Sequence, residues 1–461
     1  MSAPLPAARG GPVPESGPGL RWLQLARLGV VQAAIGAVVV LLTTTVNRVI
    51  VVELALPATI PGVLVALHFG VQLLLRPRLG HASDRSGRRT PWIVGGLAVC
   101  AVGGVAVVAA LPVMARHPAL GVVLASLASV LLGAGVSAAG TPLLALMSER
   151  ARPSQRAGAA AITWILMIVG IICTAALSGS LLDPFSFGRL TAIAGGIGGV
   201  GVLLAVLATR GIEPPGRGAR AAAERRTDAA AGAPAFRAAL AAVWEEPAAR
   251  LFAWFVFVSM FAYSAQDLIL EPFAGVAFGM SPGESTRLSG VHHGGVLGGM
   301  VATALLGTRR GQLRQWAAAG CALSALAYVA LVGTPQGGSR ALLTGVVVAL
   351  GAANGMFAIG SIGSMMALTG DAADGRAGLR LGVFGAAQAL AYAVGTMAGA
   401  AGVDVARAVL DSAVAGYQAV FLAEALLFVG AAWLALRSAS RERGVAVFRR
   451  RADLLPAVLQ P

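Results

Sequence analysis

The chain holds 461 residues, 57% of them hydrophobic and 12% charged. Soluble domains carry about 25% charged residues, so water is a poor solvent for this composition and a lipid bilayer is the fitting one. The net charge of +15 is carried by arginine with no lysine. No recognisable nucleic-acid-binding module accompanies it, so membrane orientation, not nucleic acid, is the expected cause.

Residues 1–28 begin with a Pro- and Gly-rich stretch lacking an apolar signal core, expected to be disordered and uncleaved. In 20–28, Leu and Trp alternate with Arg21, Gln24 and Arg27, which reads as an interfacial lead-in. Apolar spans follow at about 29–52, 57–76, 91–112, 119–147, 157–182 and 188–209, a six-helix bundle over 29–209. The polar, arginine-rich stretch 210–249 reads as a cytoplasmic linker. A second bundle, 250–436, has spans at about 250–273, 287–307, 315–333, 341–369, 377–402 and 414–436, and 437–461 is expected to be a cytoplasmic tail. Each span is long enough to cross about 30 Å of hydrocarbon at about 1.5 Å per residue. Cys100, Cys173 and Cys321 lie far apart inside these spans and read as small buried hydrophobes, without disulfide or metal spacing.

With the N-terminus in the cytoplasm, all but six of the 35 arginines fall on the cytoplasmic side; the six are Arg48, Arg116, Arg189, Arg287, Arg340 and Arg407. That is the positive-inside bias, and it is expected to place both termini in the cytoplasm. The halves also repeat. Ala145-Leu146-x-x-Glu149-x-Ala151 before Arg156-Ala157-Gly158 is matched by Ala367-Leu368-x-x-Asp371-x-Ala373 before Arg376-Ala377-Gly378.

Between spans 2 and 3 stands Gly80-His81-Ala82-Ser83-Asp84-Arg85-Ser86-Gly87-Arg88-Arg89. It resembles the loop signature of the major facilitator superfamily, Gly-x-x-x-Asp-Arg-x-Gly-Arg-Arg. Gly80 permits close helix approach and Gly87 a tight turn. Asp84 can pair with an arginine or face a helix N-terminus, a charge latch among Asp84, Arg85, Arg88 and Arg89. The equivalent stretch Gly307-Thr308-Arg309-Arg310-Gly311 keeps only charge and glycine. The expected fold is therefore all-α and polytopic, with twelve transmembrane helices in two six-helix halves.

More specific segments surround the loop: Asn47-Arg48-Val49, Ala66-Leu67-His68, Arg76-Pro77-Arg78, Arg89-Thr90-Pro91-Trp92 and Gln266-Asp267-Leu268-Ile269-Leu270-Glu271-Pro272. Together they resemble the PucC/LhaA family, also called the bacteriochlorophyll delivery family, from about Arg27 to the twelfth span. The resemblance implies an assembly factor for bacterial photosynthetic light-harvesting complexes that binds or delivers bacteriochlorophyll non-covalently. Implied partners are light-harvesting antenna polypeptides, the reaction-centre complex, pigment-synthesis enzymes and membrane lipid. The rival readings are a secondary transporter of a hydrophobic solute and a pigment-free scaffold.

The polar inventory bears on the choice. Carboxylates of the first six spans sit only at ends (Glu53, Glu149, Asp183), whereas Asp267, Glu271 and Glu424 lie within the second six. A cavity short of carboxylates suits a hydrophobic pigment, lipid or helix better than a charged nutrient. Histidine can ligate chlorin magnesium, which makes His68, His292 and His293 the pigment-binding candidates. Gly290, Gly294, Gly295, Gly298 and Gly299 beside the pair suit either a flat macrocycle or close helix packing. Asn47, Arg48, Glu53, Asp267 and Glu271 form candidate polar networks near the outer face: Glu53 with Arg48, and Asp267 with Glu271, the latter pair suited to a cation or to an arginine such as Arg48 or Arg287. No nucleophile triad, metal-ligand cluster or phosphate loop occurs, so no enzyme is expected and no catalytic residue is assigned.

Overall fold

The computed structural model describes residues 20–86, 88–152, 155–213, 244–310, 313–370 and 377–458. Those residues form twelve long helices: α1 (Trp22–Leu41, continued by π-helical turns Leu42–Val46 and Val49–Glu53), α2 (Thr59–Ser86), α3 (Thr90–Arg116), α4 (Pro118–Arg150), α5 (Arg156–Leu181) and α6 (Phe187–Thr209). The second set is α7 (Pro247–Phe278), α8 (Pro282–Arg310), α9 (Leu313–Gly337), α10 (Arg340–Gly370), α11 (Ala377–Leu410) and α12 (Ala413–Val458). Proline opens α4, α7 and α8, where a missing N–H costs nothing. Ser186 caps α6 by accepting from the Arg189 N–H, and Gly279 closes α7 at φ 61°.

Eleven of these helices are long and apolar enough to cross a membrane. The exception is α8, whose two histidines and many glycines dilute its Val and Leu. It nonetheless packs between α5 and α10 like its counterpart α2, which packs between α11 and α4.

The halves are built alike. In the first, α1 packs on α5 and α6, α3 on α4 and α6, and α2 on α4. In the second, α7 packs on α11 and α12, α9 on α10 and α12, and α8 on α10. They meet through α2 against α11 and α5 against α8, a pair of contacts that a two-fold exchange of the halves carries into one another.

Several sequence expectations change. Residues 20–28 do not lie apart as a lead-in: Leu25 and Leu28 are fully buried, and Arg27 donates to the Ala208 and Arg210 carbonyls. Gly80, Asp84 and Arg85 sit on the last turns of α2, because that helix runs on past the apolar stretch to Ser86. Gly87 lies outside the described residues. The expected tail continues α12 to Val458. Cys173 is exposed on its helix, while Cys100 and Cys321 are buried. The N-terminal stretch 1–19, most of the linker (214–243) and residues 371–376 of the internal repeat lie outside the described residues.

Candidate functional site

The halves are tied together at the arginine-poor end. Thr45 and Thr286 share a hydrogen bond of 3.0 Å, and Asn47 Nδ2 donates to the Leu268 carbonyl at 2.7 Å. Arg48, 3% exposed, donates to the Met280 carbonyl and to Glu53. Two carboxylates cap helices of the opposite half. Asp404 of α11 accepts from the Ala58 and Thr59 N–H groups at the start of α2, at 2.9 and 2.7 Å. Asp183, after α5, accepts from Ser281 Oγ at 3.0 Å and the Gly283 N–H at 3.3 Å at the start of α8, with Arg287 at 3.5 Å. Each places negative charge at the positive end of a helix. A cleft of about 660 Å³ opens beside them, lined by Arg48, Glu53, Asp183 and Met280 among others.

The expected pairing of Glu53 with Arg48 is present, whereas among the described residues no ion pair joins Asp267 or Glu271 to an arginine. Arg48 takes Glu53, five residues away on its own helix, and Arg287 takes Asp183. Glu271 is buried beside Ser289 and within electrostatic reach of Arg48, and Glu424 is buried beside Tyr328. Asp267 is half-buried.

At mid-height the second half contains a connected polar chain. Gln266 Oε1 accepts from Tyr328 Oη at 2.6 Å and from Asn354 Nδ2 at 2.9 Å. With its oxygen so engaged, Gln266 Nε2 donates to His292 Nε2 at 2.8 Å. Ser324 Oγ donates to Asn354 Oδ1 at 2.9 Å and closes the network. In low dielectric a satisfied network of this kind fixes one arrangement of α7, α8, α9 and α10. The first half has a shorter chain. Arg76 donates to Gln72 Oε1, and Gln72 Nε2 donates to His68 Nε2 at 2.7 Å, leaving His68 Nδ1 buried without a partner.

His293 differs from both. Its Nδ1 donates to the Ser289 carbonyl at 2.9 Å, and its ring is half-buried, 5.2 Å from that of His292. The glycines of α8 divide by face. Gly290, Gly295 and Gly299 admit Ala175 of α5 and Val348 and Ala352 of α10, so they serve packing; Gly294 and Gly298 have open space beside them. Across the halves, Phe69 meets Tyr392 at 5.2 Å, and Tyr392 meets Tyr263 at 6.1 Å.

At the arginine-rich end, Arg89 donates to Ser83 Oγ at 2.9 Å. The Arg89 and Thr90 N–H groups donate to Glu213 at 2.7 and 2.8 Å. Glu213 thus caps α3, while Arg88 is exposed. Sequence reasoning missed Glu213, Asp404, Tyr328 and Asn354. For Asn354 a signal existed: it is one of two asparagines in the chain and stands in the middle of an apolar span.

A family model described as "PUCC protein" matches residues 45–442. The "Bacteriochlorophyll synthase 44.5 kDa chain" of Rhodobacter capsulatus is 47% identical over 90% of this chain and 95% of its own length. "Protein PucC" of the same organism is 29% identical over 88% and 90%. Among solved structures, a bacterial homologue of the lysosomal transporter Spinster, inward-facing and occupied, superposes with a TM-score of 0.64 at 15% identity, covering 91% of this chain and 96% of that one. A D-xylose–proton symporter superposes with a TM-score of 0.67 at 15% identity, covering 90% and 96%. The shared fold is that of the major facilitator transporters.

Proposed function

The chain belongs to the PUCC protein family, and on that premise we propose that it assists assembly of bacterial light-harvesting complexes, binding bacteriochlorophyll and passing it to antenna polypeptides. The observation that carries the reading is the near full-length similarity to a chain named for bacteriochlorophyll synthesis, at 47% identity. The synthase name is that relative's; for this chain we read a binding role without catalysis. The side chains suit a chlorin: a half-buried imidazole, His293, on α8, and an aromatic row, Phe69, Tyr392 and Tyr263, where the halves meet. When bound, the pigment would supply an apolar face and a magnesium ion with room for one axial ligand. Reaction-centre subunits and pigment-synthesis enzymes are further proposed partners. The arginine bias supports an inner-membrane location with both termini cytoplasmic.

An absorption spectrum of the gently purified protein tests this. Bacteriochlorophyll bands co-eluting with the monodisperse chain are expected; a colourless protein from pigment-producing cells overturns pigment binding and leaves a scaffold. A second reading, secondary transport of a hydrophobic solute, is favoured by the paired cross-half caps Asp183 and Asp404, which can release together. Gradient-driven uptake into vesicles distinguishes it.

A further inference from the structure

We propose that His293 is the one histidine that ligates the magnesium of a bound chlorin, through Nε2, and that His68 and His292 hold helices together instead. The assignment rests on the pigment reading above and narrows three candidates to one. Chlorin magnesium is already held by four ring nitrogens, so a single neutral imidazole lone pair completes it and no cluster of ligands is needed.

The hydrogen bonds decide which lone pair is free. The Ser289 carbonyl can only accept, so His293 Nδ1 carries the proton and the lone pair of the neutral ring sits on Nε2. A backbone carbonyl on the far nitrogen is a common way of orienting a metal-binding imidazole. Among the described residues nothing hydrogen-bonds to His293 Nε2, and the ring is half-buried. His292 and His68 fail the same test. Each is buried, and each has its Nε2 lone pair taken by a glutamine amide whose own orientation is fixed, Gln266 by Tyr328 and Asn354, Gln72 by Arg76. In both, the remaining proton is on Nδ1, which therefore cannot ligate.

His293 also points to the right place. Residues seven apart share a helix face, and Thr286, seven before it, bonds Thr45 across the halves. Further along α8, Val296 and Met300 pack with Ile168 of α5, flanked by Met167, Ile171 and Leu297. The imidazole thus lies on the face of α8 that meets the first half, beside the apolar residues Val296, Met300 and Ile168, which pack on one another there.

The test uses the full-length protein in detergent, titrated with bacteriochlorophyll and with its magnesium-free counterpart, bacteriopheophytin. Wild type should prefer the magnesium pigment by about tenfold or more. His293→Gly should lose that preference while binding the magnesium-free pigment as wild type does, and added imidazole should restore it. His68→Leu and His292→Leu should keep the preference and melt at lower temperature. A readout that leaves His293 intact covers the case where His293→Gly does not fold. In ¹⁵N-histidine protein one imidazole resonance should shift on adding the magnesium pigment only, and should persist in the His68→Leu, His292→Leu double variant. Loss of that shift in the double variant, a preference retained by His293→Gly, or equal binding of both pigments by wild type overturns the assignment while leaving pigment binding intact. Failure of wild type to bind either pigment overturns the function proposed above, and the assignment with it.

Discussion

His68 on α2 and His292 on α8 occupy matching places in the two halves. Both are buried, both receive a glutamine amide on Nε2, and both press their backbone carbonyl against a glycine two helices on, Gly133 in α4 and Gly351 in α10. Around this shared frame the halves diverge. In the first, the glutamine is one turn along the same helix and is tied to Arg76, which is exposed. In the second, it comes from α7 and recruits Tyr328, Asn354 and Ser324, all buried. The next residue is Phe69 in one half and His293 in the other. The two halves share the scaffold, and the longer polar network stands in the second.

The shared frame should give the largest effect when broken. A Cβ at Gly351 or Gly133 meets the His292 or His68 carbonyl closer than van der Waals contact allows. Gly351→Val and Gly133→Val should therefore each cost about 3 kcal/mol, the upper part of the overpacking range. Size-exclusion profile and melting temperature would show it, and a harmless valine at only one of the two positions would break the equivalence.

A smaller effect should separate the halves. Gln266→Leu removes one hydrogen bond each from Tyr328 Oη, Asn354 Nδ2 and His292 Nε2 in a dry interior, leaving Asn354 Nδ2 and His292 Nε2 only their 3.4 Å contact with each other, at about 1–3 kcal/mol for each group that finds no new partner. Gln72→Leu strands only His68 Nε2, since Arg76 reaches solvent. A melting temperature lowered clearly more by Gln266→Leu is expected. Equal losses would mean that the longer network adds nothing.

The smallest effects should come from the caps. Asp404→Ala and Asp183→Ala each remove one carboxylate from a helix start, costing about 1 kcal/mol. Because each cap joins opposite halves, both variants should speed labelling of Thr286→Cys by a water-soluble maleimide about fivefold, as 1 kcal/mol off the closed state implies. Unchanged labelling in both would show that the caps stabilise single helices and not the seam.

The twelve spans were legible because apolar length and arginine placement are properties of each segment alone. α8 was read as an apolar span although its histidines and glycines thin its apolarity, and the arginine alternation is consistent with a crossing there. The loop signature was legible as sequence, but not as helix: Gly80 to Ser86 look like a polar loop, yet they continue α2, with Gly80 close to Thr141 of α4 and Ser83 Oγ donating to the Gly80 carbonyl. The partners of the polar side chains were not legible. Gln266 and His292 are on different helices, as are Asp404 and Thr59, and periodicity within one helix carries no information about which neighbour it will face. Among the glycines of α8, spacing alone could not tell Gly295, which admits α10, from Gly294, which has open space beside it.

The π-helical turns of α1, Leu42–Val46 and Val49–Glu53, have no match in α7, which is regular α-helix from Pro247 to Phe278. A π-turn is how a helix absorbs an inserted residue without ending. The two halves thus run out of register inside their first helix. Beyond Leu41, then, Asn47, Arg48 and Glu53 are to be matched with residues of α7 by position in space and not by a constant offset in number.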